Sequence, residues 1–107
     1  MSRILLDHCV PKPLRRWLTV YVVRTCHEEG WSALRNGELL AAAEAAGFDV
    51  FITADKNLRY QQNLKGRRLA IVELPTNRLS LLPFLVPALQ QALANATPGS
   101  YQELPPT

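Results

Sequence analysis

Three acids in the chain stand where a divalent cation could be held: Asp7, Glu38 and Asp55. Asp7 directly follows the apolar run 4–6, and Asp55 follows the run 50–53. Glu38 opens the Leu- and Ala-rich segment that precedes the second of these runs. Carboxylates brought together repel unless a cation neutralises them. Hard oxygen donors suit Mg²⁺ or Mn²⁺, which keep several waters and also take phosphate oxygens. An ion held this way activates a water and stabilises the charge that builds on a phosphodiester. Asn57 lies two residues beyond Asp55 and is a fourth candidate ligand, while Thr53 offers a hydroxyl to the same site. Lys56, Arg59, Arg15 and Arg16 supply positive charge for a nucleic-acid backbone. Each acid also has a plainer role: Asp7 and Asp55 as caps of the turns they begin, Glu38 as the complement of a helix dipole. Asp49, Glu44, Glu28 and Glu29 read as solvated turn or face residues.

A second set of residues competes for a metal. His8 and Cys9 follow the apolar run 4–6, and Cys26 and His27 follow the β-branched run Val20–Val23. If the two strands are neighbours, these side chains meet at distances suited to tetrahedral zinc. The spacing is not that of a zinc knuckle, and successive residues leaving a strand point apart. Buried thiols and surface imidazoles are therefore the expectation. The chain carries no Gly-rich phosphate loop, nucleophile elbow or dinucleotide fingerprint. An acid at a strand end would also suit an aspartyl-phosphate acceptor.

The elements that must position these residues alternate. A strand over 3–6 leads to Pro11 and Pro13, where a helix start tolerates proline. Leu14, Trp17 and Leu18 give that helix an apolar face. Val20–Val23 predicts a second strand. Asn36 reads as the N-cap of a helix that Gly47 stops. Residues 50–53 predict a third strand buried on both faces. The segment 55–64 reads as a short polar helix or turn, and 69–74 as a fourth strand. Residues 79–96 predict a helix that Pro83 and Pro87 start late or kink. Its Leu81, Leu82, Phe84, Leu85, Val86, Leu89 and Leu93 exceed what one face of a lone surface helix needs, which fits either packing on the sheet or a homodimer or antitoxin contact. The expected unit is one α/β domain over 1–96, a four-stranded, mostly parallel sheet flanked by helices in three layers. Residues 97–107 are expected as a loosely ordered tail, with one short extended piece at 100–104. In such sheets ligands bind beyond the carboxyl ends of the strands, where the strand order switches.

Composition agrees with a single domain. The chain has 107 residues, 48% of them hydrophobic and 20% charged, with a formal net charge of +3. That surplus permits an anionic partner without demanding one. Within 74–107 the charged residues are Arg78 and Glu103, so polar chemistry belongs to the earlier part. No apolar run approaches a membrane span, and no basic, apolar leader opens the chain. Two cysteines do not make a disulfide framework, which points to reduced thiols in the cytoplasm.

The same residues carry a family resemblance. The stretches ILLDHCVPKPLRRWL, EEGWSALRNGELLAAAEAAGFDVFITADKNLRYQQNL and LAIVELPTNR span about residues 3–78. They resemble the PIN-like family of domains of unknown function, small relatives of the PIN ribonucleases of prokaryotic toxin–antitoxin loci. The resemblance implies a PIN-like α/β sandwich with an acidic pocket at the strand ends. It matches Asp7, Glu38 and Asp55 to the family's acids and Lys56 to the basic residue beside the last. It implies Mg²⁺- or Mn²⁺-dependent cleavage of RNA, with a cognate antitoxin as partner. His8 and Asn57 stand where many members carry further acids. A weakened or inactive module that binds a protein partner is therefore the second expectation.

Overall fold

Successive residues of the central strands serve opposite faces of one sheet. The computed structural model describes residues 2–58, 64 and 66–106. Strands β1 (Arg3–Leu6), β2 (Val22–Thr25), β3 (Val50–Thr53), β4 (Ala70–Glu73) and β5 (Tyr101–Glu103) form it. Ile4, Leu6, Val50, Ile52, Ala70 and Val72 enter one core, and Leu5, Phe51 and Ile71 enter the other. A strand covered on both sides has no polar face, so β3 and β4 read as unbroken apolar runs.

Helices cover each face. On the first, Leu14 and Leu18 pack with Leu82, Leu85, Leu89 and Leu93 of helix α2 (Leu82–Ala94). On the second, Leu39, Leu40 and Ala43 of helix α1 (Asn36–Ala45) pack against Phe51. Two 3-10 turns, Lys12–Trp17 and Leu79–Leu81, precede β2 and α2. Among the described residues no helix is long and apolar enough to cross a membrane.

The strand order is β2-β1-β3-β4-β5, and every neighbouring pair runs parallel. The sheet thus has five strands rather than the expected four. The fifth lies within the segment expected as a loose tail. Tyr101, Gln102 and Glu103 align with Ile71, Val72 and Glu73, and Leu104 is buried against the first core. The return to this edge needs Gly99, which has φ +78° and whose added Cβ would lie 2.9 Å from the Arg67 carbonyl oxygen.

Three further expectations shift. The second strand begins two residues late, because the Tyr21 N–H is still turned back to the Leu18 carbonyl and Val20 is 72% exposed. The first helix is a six-residue 3-10 segment flanked by Pro11 and containing Pro13. Arg35, not Asn36, occupies the cap position of α1; Asn36 is its first residue, in the left-handed region at φ +51°. Asparagine tolerates that region better than most residues. Gly47 closes the helix as expected, at φ +83°. Helix α2 starts one residue before Pro83 and contains Pro87. Most of its apolar side chains go into the core, whereas Phe84 remains 68% exposed.

Candidate functional site

With β1 central between β2 and β3, the chain runs first to one side and then to the other. The carboxyl ends of β1 and β3 therefore flank the point where strand order switches, the usual place for a ligand crevice. A cleft of about 370 Å³ opens there. Asp7, His8 and Cys9 from the end of β1, Ala54 and Asp55 from the end of β3, and Asn36 of α1 line it over an apolar floor.

Asp7 and Asp55 are tied through one buried side chain. Thr53 is fully buried; its hydroxyl donates to Asp7 Oδ2 at 2.7 Å and accepts the Asp55 N–H at 3.0 Å. The His8 N–H donates to Asp7 Oδ1 at 2.7 Å. These bonds fix the Asp7 carboxylate, while each of its oxygens keeps lone-pair capacity. Asp55 Oδ1 accepts the Asn57 N–H at 2.9 Å, so this acid also caps the turn it begins. Lys56 and Asn57 are exposed beside it.

The other expected residues stand apart from the pair. Glu38 is exposed and does not line the cleft. On a helix, positions 36, 39 and 40 share the face that reaches the cleft, and 38 points to the other side. Arg15 Nη1 donates to Glu28 Oε1 at 2.9 Å, which places its charge at the end of β2. Arg59 lies outside the described residues, as do positions 60–63 of the expected polar helix.

One network escaped the sequence reading. Glu28 is a hub: it accepts from Arg15 and from the Thr25 N–H at 2.9 Å, and Lys12 lies 3.7 Å away. The Arg15 bond foremost, with the Thr25 N–H, lowers its carboxyl to about 2. Thirteen residues separate Arg15 from Glu28, so no local spacing signals the pair.

The cysteines occupy different surroundings. Cys9 Sγ lies 3.7 Å from Asp7 Oδ2 and receives the Ala54 N–H at 3.4 Å; burial pushes its thiol up. Cys26 is 2% exposed and donates to the Leu6 carbonyl at 3.2 Å. Burial first, and then the Asp7 carboxylate, push its thiol up to about 12.

A larger hollow of about 480 Å³ opens at the opposite edge of the sheet, beside Glu44, Asp49 and Arg68. Each of its acids already faces an arginine group. Asp49 Oδ2 accepts the Arg3 N–H at 2.8 Å, and Glu44 faces Arg67 at 3.6 Å. The smaller cleft is the one that brings two acids from the carboxyl ends of neighbouring strands to the switch point.

Comparison with protein-family models, with curated proteins and with solved structures found no match to the chain.

Proposed function

We propose that the chain is a PIN-like, metal-dependent endoribonuclease that acts in the cytoplasm as the toxin of a toxin–antitoxin pair. One observation carries the reading: Asp7 and Asp55 line one cleft at the switch point, where the Thr53 hydroxyl bonds both the Asp7 carboxylate and the Asp55 backbone N–H. Two carboxylates with open solvent beyond them fit Mg²⁺ or Mn²⁺, which are commonly held by one or two carboxylates plus substrate phosphate. When bound, the ion supplies an activated water and charge neutralisation for phosphodiester hydrolysis.

The protein's own groups do the positioning. Asp7 and Asp55 hold the cation. Thr53 keeps Asp7 from rotating and so keeps the donor set preorganised. Lys56, exposed next to Asp55, meets the RNA backbone. Asn57 contributes from the exposed turn beside Asp55, Glu38 stands off the cleft, and Arg15 contributes only if Glu28 releases it.

Incubation of RNA with Mn²⁺ tests this. Asp7→Asn and Asp55→Asn are each expected to lower cleavage at least about 100-fold, the upper end of what loss of a ligand's outer partner costs. Glu38→Gln is expected to cost less than either. Cleavage unchanged in both Asp variants would sink the assignment. The position of Glu38 outside the cleft favours one second reading, a PIN-like module that binds a protein partner without catalysis. Calorimetry decides: absence of Mn²⁺ binding at millimolar concentration selects the module.

A further inference from the structure

The register of β1 and β2 brings together a donor set of a different kind. Leu6 pairs with Thr25, so Asp7 and Cys26 are the next residues off two neighbouring strand ends, and His8 follows. An Asp7 carboxylate oxygen, a His8 ring nitrogen and Cys26 Sγ all lie within 4.8 Å of one another. Among the described residues this is the one trio of acid, imidazole and thiol groups so close.

The imidazole is anchored through Nε2. His8 Nε2 lies 2.7 Å from the Leu34 carbonyl oxygen and 3.1 Å from Arg35 Nη1. A carbonyl only accepts and a guanidinium only donates, so Nε2 satisfies one of them at a time. The shorter contact gives Nε2 the proton, and Arg35 Nη1 donates to the same carbonyl at 2.9 Å. Nδ1 is then the ring's lone-pair nitrogen. An N–H to a backbone carbonyl is the usual outer partner of a metal-ligating histidine.

We propose that Asp7, His8 and Cys26 form a site for a borderline-soft divalent cation, Zn²⁺ foremost. Oxygen, nitrogen and sulfur donors together suit zinc and disfavour Mg²⁺. Three protein ligands leave a fourth position for water. Binding replaces the Cys26 S–H···O bond to Leu6 with a metal–thiolate bond, and the thiol proton leaves to solvent. The ion enters from the side of His8, which is exposed, since Cys26 is not. Cys9 and His27 lie outside this trio: Cys9 Sγ, 3.7 Å from Asp7 Oδ2, is turned to Thr53 and the Ala54 N–H, and His27 Nδ1 pairs with Ser32 at 3.3 Å. Asp7 belongs to both donor sets, so Zn²⁺ here withdraws it from the hard-cation site; that inhibition, unlike the binding, rests on the ribonuclease reading.

Co²⁺ serves as the spectroscopic probe on the reduced full chain. The expected result is a near-ultraviolet thiolate-to-cobalt charge-transfer band that stoichiometric Zn²⁺ removes. The band should vanish in Cys26→Ser, persist in Cys9→Ser, and require at least about tenfold more Co²⁺ in His8→Ala. No band in the wild-type protein, or a band that follows Cys9 instead, overturns the proposal. Should Cys26→Ser fail to fold, the surface variant His8→Ala decides, and an unchanged Co²⁺ affinity there also overturns it. Mn²⁺-dependent cleavage is scored separately. Its absence alongside a cobalt band removes the ribonuclease and leaves this site standing.

Discussion

Thr53 is the residue on which the site turns. Its hydroxyl is one of few polar side-chain groups in the buried sheet, and it serves Asp7 and Asp55 at once. Thr53→Val keeps the shape and β propensity but leaves the Asp55 N–H without its acceptor. The expected loss is about 1–3 kcal/mol in denaturant unfolding, together with a weaker grip on Mn²⁺; an unchanged midpoint would show that water replaces the hydroxyl. Asp7 and Asp55 were legible because an acid that follows an apolar strand falls at the ligand edge of any parallel sheet. The Asp7–His8–Cys26 cluster was legible only in part: His8 and Cys26 were candidate ligands if β1 and β2 are neighbours, but the share of Asp7 depends on one particular register. Neighbouring residues at a strand end usually diverge, but the turn after β1 lets Asp7 and His8 converge on Cys26.

At the scale of elements, β-branched and Leu-rich runs marked β1, β3 and β4 to within a residue. Strand β5 was legible only as a short extended piece at 100–104, not as a member of the sheet, because Tyr-Gln-Glu has no apolar run; it sits at the edge and is defined by its partner rather than its composition. Strand β2 was displaced because Arg24 sits inside it, where its charge is met by Glu29 at 2.7 Å. The connection into β5 is the most constrained in the fold. Gly99 combines left-handed backbone with a close carbonyl, and its N–H bonds the Arg68 carbonyl at 2.9 Å. Gly99→Ala should therefore destabilise by more than about 1 kcal/mol, read as a lower thermal midpoint. Gly30→Ala, with open space around it, is the control and should lose less.

At the scale of the whole molecule, acid stability has a named contributor. Glu28 binds its proton at about 2 in the fold, against an ordinary value of 4.5. The stabilisation is fully present above pH 4.5 and is lost as pH falls through about 2. Arg15 and Glu28 keep 33% and 21% of their side-chain surface in solvent, so screening holds the effect to about 1 kcal/mol or less. Glu28→Gln should melt below the wild-type protein at neutral pH, and the difference should shrink towards pH 2. A difference independent of pH would assign the effect to shape and not to charge. The placement of β5 also bears on how the chain is made. A ribosome delivers β4 well before the strand that covers its edge. In the finished fold Glu73 is 3% exposed and receives the Tyr101 hydroxyl at 2.5 Å. A nascent chain that has not yet reached Tyr101 carries that carboxylate without its phenol and an open Ala-Ile-Val-Glu edge, a template for pairing with another copy. Translation speed across residues 74–101 thus sets how long each new molecule is exposed to misassembly.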